Sequence, residues 1–483
     1  VSDAPSNIFG TDGIRDLCAP DGRSDGWLNP AGLDRLAVGM ARLLGRARDA
    51  GGIAASPPRV LIGRDPRTSG PAIERSLTAS LERRGIAVRH GGLLPTPAVS
   101  VLVEAGEAEL GIVISASHNP PEFNGVKWFG PDGAKLSEEE ERRITCDVLA
   151  APVDPEVDPG PSTLPAPAAP AAPEEEALRS LYLDRLLAGF GEARPLDGLR
   201  IVLDCARGAT APCAREAFER AGASVVVIHG EPDGERINID CGSTHPGSLA
   251  RRVVAEGADL GVAFDGDGDR AILVDEAGGT VDGDEMLAIW ALDLRARGRL
   301  PGDRIAVTVM SNAGMESHLR ERGVDLVRTP VGDREVHEAM RAGGLALGGE
   351  QSGHIICEDA MTGDGIRTGL ALAEIVRRSG RPLSALRSEI PRYPQTLVGV
   401  QVGAKPPLEI LPGVQRVVAA AKKALEGHGR ILLRYSGTEP LARVLVEGRD
   451  AEENADWAER IADSLRTDRA LASPGEPQGE PRD

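Results

Sequence analysis

A strand–helix–strand unit recurs three times, and that repetition restricts the fold more than any other feature of the chain. The first copy runs Arg59-Val-Leu-Ile-Gly63, a loop, a helical stretch ending Glu82-Arg-Arg-Gly85, then Ile86-Ala-Val-Arg-His90. The second opens Arg200-Ile-Val-Leu203, has a helix ending Glu219-Arg-Ala-Gly222 and continues into Ser224-Val-Val-Val-Ile228. The third opens Arg304-Ile-Ala-Val307, ends its helix at Arg320-Glu-Arg-Gly323 and continues Val324-Asp-Leu-Val327. A glycine just past a helix supplies the left-handed residue that closes it. A helix between two strands is the crossover that joins parallel neighbours.

Each copy offers one more apolar strand running into an unusual loop. Leu110-Gly-Ile-Val-Ile114 precedes Ser115-Ala-Ser117-His118-Asn-Pro120, and Leu260-Gly-Val-Ala-Phe264 precedes Asp265-Gly-Asp267-Gly-Asp269-Arg270. Leu345-Ala-Leu-Gly348 precedes Gly349-Glu350-Gln-Ser352-Gly-His354. Ligands of open α/β sheets bind beyond the carboxyl ends of strands. The expectation is three similar α/β domains with mixed sheets, plus a smaller C-terminal α+β domain, around a central cleft.

The middle loop carries the strongest chemical signal. If the loop is extended, Asp265, Asp267 and Asp269 point the same way. Three converging carboxylates repel unless a cation sits among them, and a hard divalent ion suits oxygen ligands. A solvated acidic turn is the plain alternative. An EF-hand fails, because position six is Arg270 where glycine belongs, and the flanks read as strands.

Ser117 is the best nucleophile, lying between a buried strand and a loop beside His118. As a phosphoserine it could donate phosphate and lend the metal an oxygen. Arg434-Tyr-Ser436-Gly437-Thr438-Glu-Pro440, with Arg443 behind it, reads as an anion cradle of guanidinium, hydroxyl and amide donors. Glu350 and Ser352 suit sugar hydroxyls, and His354 can move a proton. Lys127 follows Ser117 by one short loop. The Gly-rich stretches Phe9-Gly-Thr-Asp-Gly-Ile-Arg15 and Gly63-Arg-Asp-Pro-Arg-Thr-Ser-Gly70 are weaker signals, the second no more than a helix cap.

Bulk properties narrow the partners. A net charge of −19 argues against a general nucleic-acid or anionic-membrane surface, but a local Arg/Lys cluster still admits a small anion. The six cysteines are scattered without a Cys-x-x-Cys, so reduced thiols are expected. No run of eighteen apolar residues occurs, and the first residues lack the pattern of a signal peptide. The expected compartment is the cytoplasm.

With four loops in this order, the chain resembles the α-D-phosphohexomutase superfamily across nearly its whole length. Phe9 to Arg15, Thr308 to Asn312, Val331 to Arg334, Gln351, Thr362 to Gly365 and Leu432 to Pro440 resemble its phosphoglucosamine mutase branch most. The resemblance implies a mutase that converts glucosamine 6-phosphate to glucosamine 1-phosphate through a 1,6-bisphosphate, for UDP-N-acetylglucosamine and cell-wall precursor synthesis. Ser117 would be the phosphoserine, and Asp265, Asp267 and Asp269 would hold one Mg2+ with its phosphoryl oxygen. Glu350 and Ser352 would grip the sugar, and Arg434, Ser436, Gly437, Thr438 and Arg443 the phosphate that is not reacting. Arg15, His118, Lys127, Arg270 and His354 would line the reacting centre, with Lys127 and His354 as the general acid/base candidates. Glucosamine or glucose 1,6-bisphosphate would be the activator. The partner would be a small phosphosugar, and the resemblance leaves room for a homodimer.

Three alternatives accompany this reading: a phosphomannomutase or phosphoglucomutase, a non-catalytic sugar-phosphate binding protein, and a Mg2+-dependent phosphatase. Two departures from the family pattern concern loop shape, Asp16 where glycine usually follows the first motif and Pro121 after the serine loop. The expected domains are 1–150, 177–298, 299–390 and 391–467, with a Pro/Ala-rich linker at 151–176 and a disordered tail at 468–483.

Overall fold

The structure, a computed structural model, describes residues 7–10, 12–49, 57–152, 173–358, 360–436 and 440–471. It divides into two compact units. The first holds the described residues up to Thr308 together with Val327–Ser388, and the second holds Val309–Leu326 and the described residues from Glu389 on.

The first unit contains two whole copies of the repeat and most of the third, whose helix Ala313–Glu321 falls in the second unit. Its strands are β1 (Ile14–Leu17), β2 (Arg59–Arg64), β3 (Ala87–Leu93), β4 (Leu110–Ile114) and β5 (Phe123–Phe129), in sheet order β1-β5-β4-β2-β3. The second sheet has β6 (Arg200–Asp204), β7 (Ser224–Ile228), β8 (Leu260–Phe264), β9 (Ala271–Asp275) and β10 (Thr280–Val281), in order β10-β9-β8-β6-β7. The pairing repeats as well: β2 is parallel to β3 and β4, and β6 is parallel to β7 and β8. Then β5 returns antiparallel on β4, as β9 does on β8. The third sheet keeps the order without the outer edge strand. It has β11 (Arg304–Thr308), β12 (Asp325–Thr329), β13 (Leu347–Gly349) and β14 (Ile355–Cys357), ordered β12-β11-β13-β14. The helix-closing glycines expected from the sequence, Gly85, Gly222 and Gly323, take φ of 73°, 107° and 74°.

Every residue of β4 and β8 is buried, because helices cover both faces of these central strands. In the first sheet Val60, Ile62, Ile112 and Ile114 join Leu36 and Met40 of the helix Pro30–Asp49 in one core. Phe9 meets Trp128 edge to face, with ring centroids 5.5 Å apart, and anchors the N-terminal motif to that core. The three special loops leave the carboxyl ends of β4, β8 and β13, the equivalent strands of the three sheets.

In the second unit β15 (Gln395–Gln401), β16 (Gly429–Tyr435) and β17 (Leu441–Gly448) form an antiparallel sheet ordered β15-β17-β16. Two helices pack on it, Pro412–Ala424 and Ala451–Arg466. Buried Glu447 explains why 309–326 belongs here. It accepts Ala313 N at 2.9 Å and pairs with Arg430 Nε at 2.6 Å, while Arg430 also donates to Val309 O at 2.7 Å.

Two expected boundaries move. The helix Pro173–Ala188 begins inside the stretch assigned to the linker, of which 153–172 lies outside the described residues. Further along the helix, in the part expected to belong to the second domain, Tyr182 donates to Asp364 Oδ2 at 2.9 Å, a buried tie. The tail reading starts too early, because Leu471 is buried and its carbonyl accepts Gly403 N at 2.7 Å; 472–483 lies outside the described residues.

Candidate active site

Ser117 stands three residues past buried β4 with φ 54°, a left-handed conformation that non-glycine residues seldom adopt. Its N–H donates to Ser115 Oγ at 2.9 Å. Its Oγ donates to Asp265 Oδ2 at 2.6 Å and lies 3.3 Å from His118 Nδ1. The nucleophile expected in the first domain therefore meets the acidic loop of the second.

That loop is a turn and not the extended segment from which convergence was argued. Gly268, at φ 75°, donates its N–H to Asp265 O at 3.2 Å, and Arg270 N donates to Asp265 Oδ1 at 3.1 Å. The turn gathers the carboxylates all the same: one oxygen from each of Asp265, Asp267 and Asp269 lies within 4.8 Å of the others, all three residues buried. Glycine is required at 266, where an added Cβ would stand 2.6 Å from Ser117 O. Thr96 fixes Asp267, its N–H donating to the carbonyl at 2.8 Å and its hydroxyl to Oδ2 at 2.6 Å.

The electrostatics divide the carboxylates. Burial, then Asp269 and Asp267, push Asp265 well above the usual carboxylate range. Burial also acts to raise Asp269, but Lys127, His354 and Arg270 outweigh it and hold that carboxyl well below the range. Asp267 Oδ1 and Asp269 Oδ1 are buried with no hydrogen-bond donor among the described residues. Three buried carboxylates with spare hard oxygens fit a divalent cation such as Mg2+.

The cationic side comes from three segments, with a neutral histidine beside them. Lys127 Nζ is 2.8 Å from Asp267 Oδ2, 3.0 Å from Asp269 Oδ2 and 2.9 Å from Asp12 Oδ2. Burial disfavours its charge, yet Asp12, Asp267 and Asp269 overcome that and raise Lys127 well above the ordinary lysine value. Arg15 pairs with Asp12 and donates to Asn119 Oδ1 at 3.1 Å. Arg270 Nε lies 3.8 Å from Asp269 Oδ1. Burial lowers His118 to about 4, helped by Arg270 and Arg15, so its imidazole is neutral at neutral pH.

His354 is buried between Asp269 and Asp333, with Nδ1 3.7 Å from one carboxylate and Nε2 3.6 Å from the other. Gly363 N donates to Nε2 at 3.0 Å, which leaves the imidazole proton on Nδ1 facing Asp269. Glu350 accepts Gly332 N and Ser352 Oγ, each at 3.2 Å, so these two polar residues hold one another in the third loop.

Sequence reasoning missed Asp12, Lys135 and Asp333. Lys135 lies half-buried between the two carboxylates and pairs with both, which links the first motif to the helix Asp333–Gly343. Asp12 and Asp333 lie within stretches singled out for the resemblance. Lys135 follows Gly130-Pro-Asp-Gly and carries no local signal. Asp16, the departure from the family pattern, turns away to accept Leu28 N at 2.7 Å and Ser24 Oγ at 3.0 Å, and so shapes a neighbouring turn.

In the second unit Arg434 and Arg443 stand directly opposite one another on β16 and β17. Ser436 N donates to Leu441 O at 2.8 Å, and Lys405 Nζ donates to Ser436 O at 2.6 Å. Gly437 and Thr438 lie outside the described residues.

Family models agree with this architecture. The phosphoglucomutase/phosphomannomutase alpha/beta/alpha domains I, II and III match residues 6–151, 180–279 and 282–393, and the C-terminal domain matches 397–464. The chain belongs to this family, that of the phosphohexomutases. Within it, the phosphoglucosamine mutase of Symbiobacterium thermophilum is 43% identical over 468 residues, 95% of this chain and 99% of the relative. That of Moorella thermoacetica is 44% identical over 451 residues, covering 92% and 96% of the two chains. A solved phosphoglucomutase/phosphomannomutase family protein from Burkholderia thailandensis shares the fold, with a TM-score of 0.74 at 24% identity over 96% of this chain and 97% of that one. The third family model starts at 282, so it takes in the helix Gly283–Ala296, which the sequence reading gave to the second domain.

Proposed function

We propose that the protein interconverts glucosamine 6-phosphate and glucosamine 1-phosphate through a phosphoserine at Ser117 and a 1,6-bisphosphate. The observation that carries this is Ser117 Oγ at 2.6 Å from a buried three-carboxylate loop. Phosphoglucosamine mutases at 43–44% identity over most of the chain support the choice of sugar.

In the forward direction the P–Oγ bond of phosphoserine 117 breaks as a bond forms from phosphorus to sugar O1. The O1 proton passes to a neutral imidazole, a role for which His118 is suited by its lowered pKa and its place beside Oγ. The bisphosphate then turns over, its 6-phosphoryl group returns to Ser117 Oγ, and O6 regains a proton. Lys127 remains an ammonium among Asp12, Asp267 and Asp269, so it acts as acid and counter-charge and not as base. Arg15 and Arg270 add charge at the same centre, and His354 presents its Nδ1 proton there. Glu350 and Ser352 hold sugar hydroxyls. Arg434, Ser436, Gly437, Thr438 and Arg443 hold the phosphate that is not reacting. Asp265, Asp267 and Asp269, with an oxygen of the phosphoserine, would hold Mg2+, which would supply charge neutralisation. Phosphoryl transfer of this kind is chiefly positioning and electrostatics.

A glucose or glucosamine 1,6-bisphosphate would charge Ser117 at the start. No helix among the described residues is long and apolar enough to cross a membrane. The proposed setting is the cytoplasm, and any homodimer would show in the mass measured in solution. A coupled assay on glucosamine, mannose and glucose 6-phosphates, with a catalytic amount of bisphosphate, tests the reading. Glucosamine 6-phosphate should be preferred and Ser117→Ala inactive. A preference for mannose or glucose, or release of free phosphate, would replace the assignment.

A further inference from the structure

Arg67 lies in the Gly63–Gly70 loop that the sequence reading left as a helix cap. Its side chain is wholly buried, at 0% exposure, which is rare for arginine unless every donor is used. Nε donates to Asp65 Oδ2 at 2.9 Å. Nη1 donates to Phe123 O at 2.7 Å and also to Pro120 O. Nη2 donates to Ser117 O at 2.9 Å and to Asn119 O at 2.7 Å. One guanidinium thus binds four carbonyls of the serine loop.

A second donor reaches two of those carbonyls from the other domain. Asn238 Nδ2 donates to Ser117 O at 2.9 Å and to Asn119 O at 3.2 Å. Asn238 is buried and itself takes a positive φ of 63°. The amide side of Ser117 is also tied to Arg67. The Ser117 N–H rests on Ser115 Oγ, Ser115 Oγ donates to Asp65, and Asp65 is the partner of Arg67. Both backbone polar groups of Ser117 are therefore fixed by one network spanning two domains.

The conformation needs such a network. Ser117 has φ 54°, where an L-residue's Cβ crowds its own carbonyl. Relaxation to ordinary negative φ would swing Cβ, and Oγ with it, off the line to Asp265. We propose that Arg67 and Asn238 form a two-sided clamp that holds Ser117 left-handed, and that both are positioning residues for phosphoryl transfer. The inference rests on the reading of Ser117 as the phosphate carrier. Lysine cannot replace Arg67, because a single ammonium cannot span four carbonyls and a carboxylate. Asn238 is the more informative position, since Arg67 still satisfies both carbonyls after its removal and the fold is kept.

The test compares Asn238→Ala, Asn238→Asp and Arg67→Lys with the parent. Its readouts are kcat and KM, near-UV circular dichroism, and the rate at which glucose 1,6-bisphosphate phosphorylates Ser117, followed by intact mass. Asn238→Ala should lower kcat about 10-fold and Arg67→Lys about 100-fold, with KM within about twofold and slower phosphorylation to match. Asn238→Asp should be worse than alanine, since a carboxylate facing two carbonyls repels them. A kcat within about twofold of the parent in Asn238→Ala overturns the clamp, as does a loss that only tracks the unfolded fraction. If the parent itself takes no phosphate at Ser117, the carrier assignment fails first and the clamp with it.

Discussion

Ser117 Oγ donates to Asp265 Oδ2 at 2.6 Å, although the two residues are 148 positions apart in the chain. The contact brings a hydroxyl of the first domain against the most strongly raised carboxyl of the second. A phosphorylated serine has no Oγ proton to give, so Asp265 must then find another partner. A cation supplies one.

Asp265 is therefore the place to test metal dependence. Replacing it with asparagine removes a buried like charge, so the metal-free variant should melt higher than the parent, by about 1 °C for each kcal/mol of repulsion removed in a chain of this length. Mg2+ should stabilise the parent and not the variant, and mutase activity should be lost. Thermal melts with and without Mg2+ check this. A variant that melts lower without metal, and still responds to it, would show that repulsion among the carboxylates is not what Asp265 contributes.

Lys135 joins Asp12 to Asp333 with its side chain only 12% exposed. Removing one partner of a buried charge cluster costs about 3–5 kcal/mol, because the others are left uncompensated. Lys135→Ala should lose stability in that range in urea unfolding, and activity should fall as Asp12 pulls Lys127 and Arg15 out of place. The double variant Lys135→Ala/Asp333→Asn should recover part of the stability. No recovery would mean that Asp333 is not the group left stranded.

The pair His90–Glu74 sets a pH window away from the active site. Its hydrogen bond to Glu74 raises His90 above 6.5, and the same partner and Arg64 hold Glu74 down against burial. A raised histidine contributes stability that is complete below its unfolded value and fades as pH climbs through the folded one. A lowered glutamate contributes above its unfolded value and fades as pH falls through its folded one. The pair should stabilise most between about pH 5 and 6.5. Denaturant midpoints of the parent and His90→Gln should differ most in that interval and converge by about pH 9; an equal difference at both pH values would contradict the window.

Arg443 faces Arg434 across the strands of the second unit. If the pair holds the non-reacting phosphate, Arg443→Ala should raise KM about 10- to 100-fold, the worth of one charge-assisted contact. The effect on kcat should be smaller, since that phosphate is bound alike before and during transfer. Steady-state kinetics in both directions check this, and a fall in kcat at unchanged KM would move Arg443 to the reacting end.

Much of the fold was legible because its signals are local. The apolar runs at Leu110–Ile114 and Leu260–Phe264 became fully buried central strands, and the glycines at 85, 222 and 323 ended helices as their freedom in φ allows. Asp265, Asp267 and Asp269 were legible from spacing, though for the wrong reason: a turn, not an extended strand, gathers them. Lys135 and Arg67 were not legible. The carboxylates that Lys135 joins and the four carbonyls that Arg67 binds all lie far off in sequence, and nothing nearby marks either contact.

The chain on its own determined the elements, their threefold order and the residue types offered at each strand end, since those follow from periodicity and backbone preference. Tertiary structure alone decided which charges meet. It set Ser117 on Asp265, held Lys127 as an ammonium among three carboxylates and neutralised His118. Those outcomes depend on burial and on distances of a few ångströms between segments more than a hundred residues apart. Coulomb and desolvation energies vary steeply with both, and neither is written in local sequence.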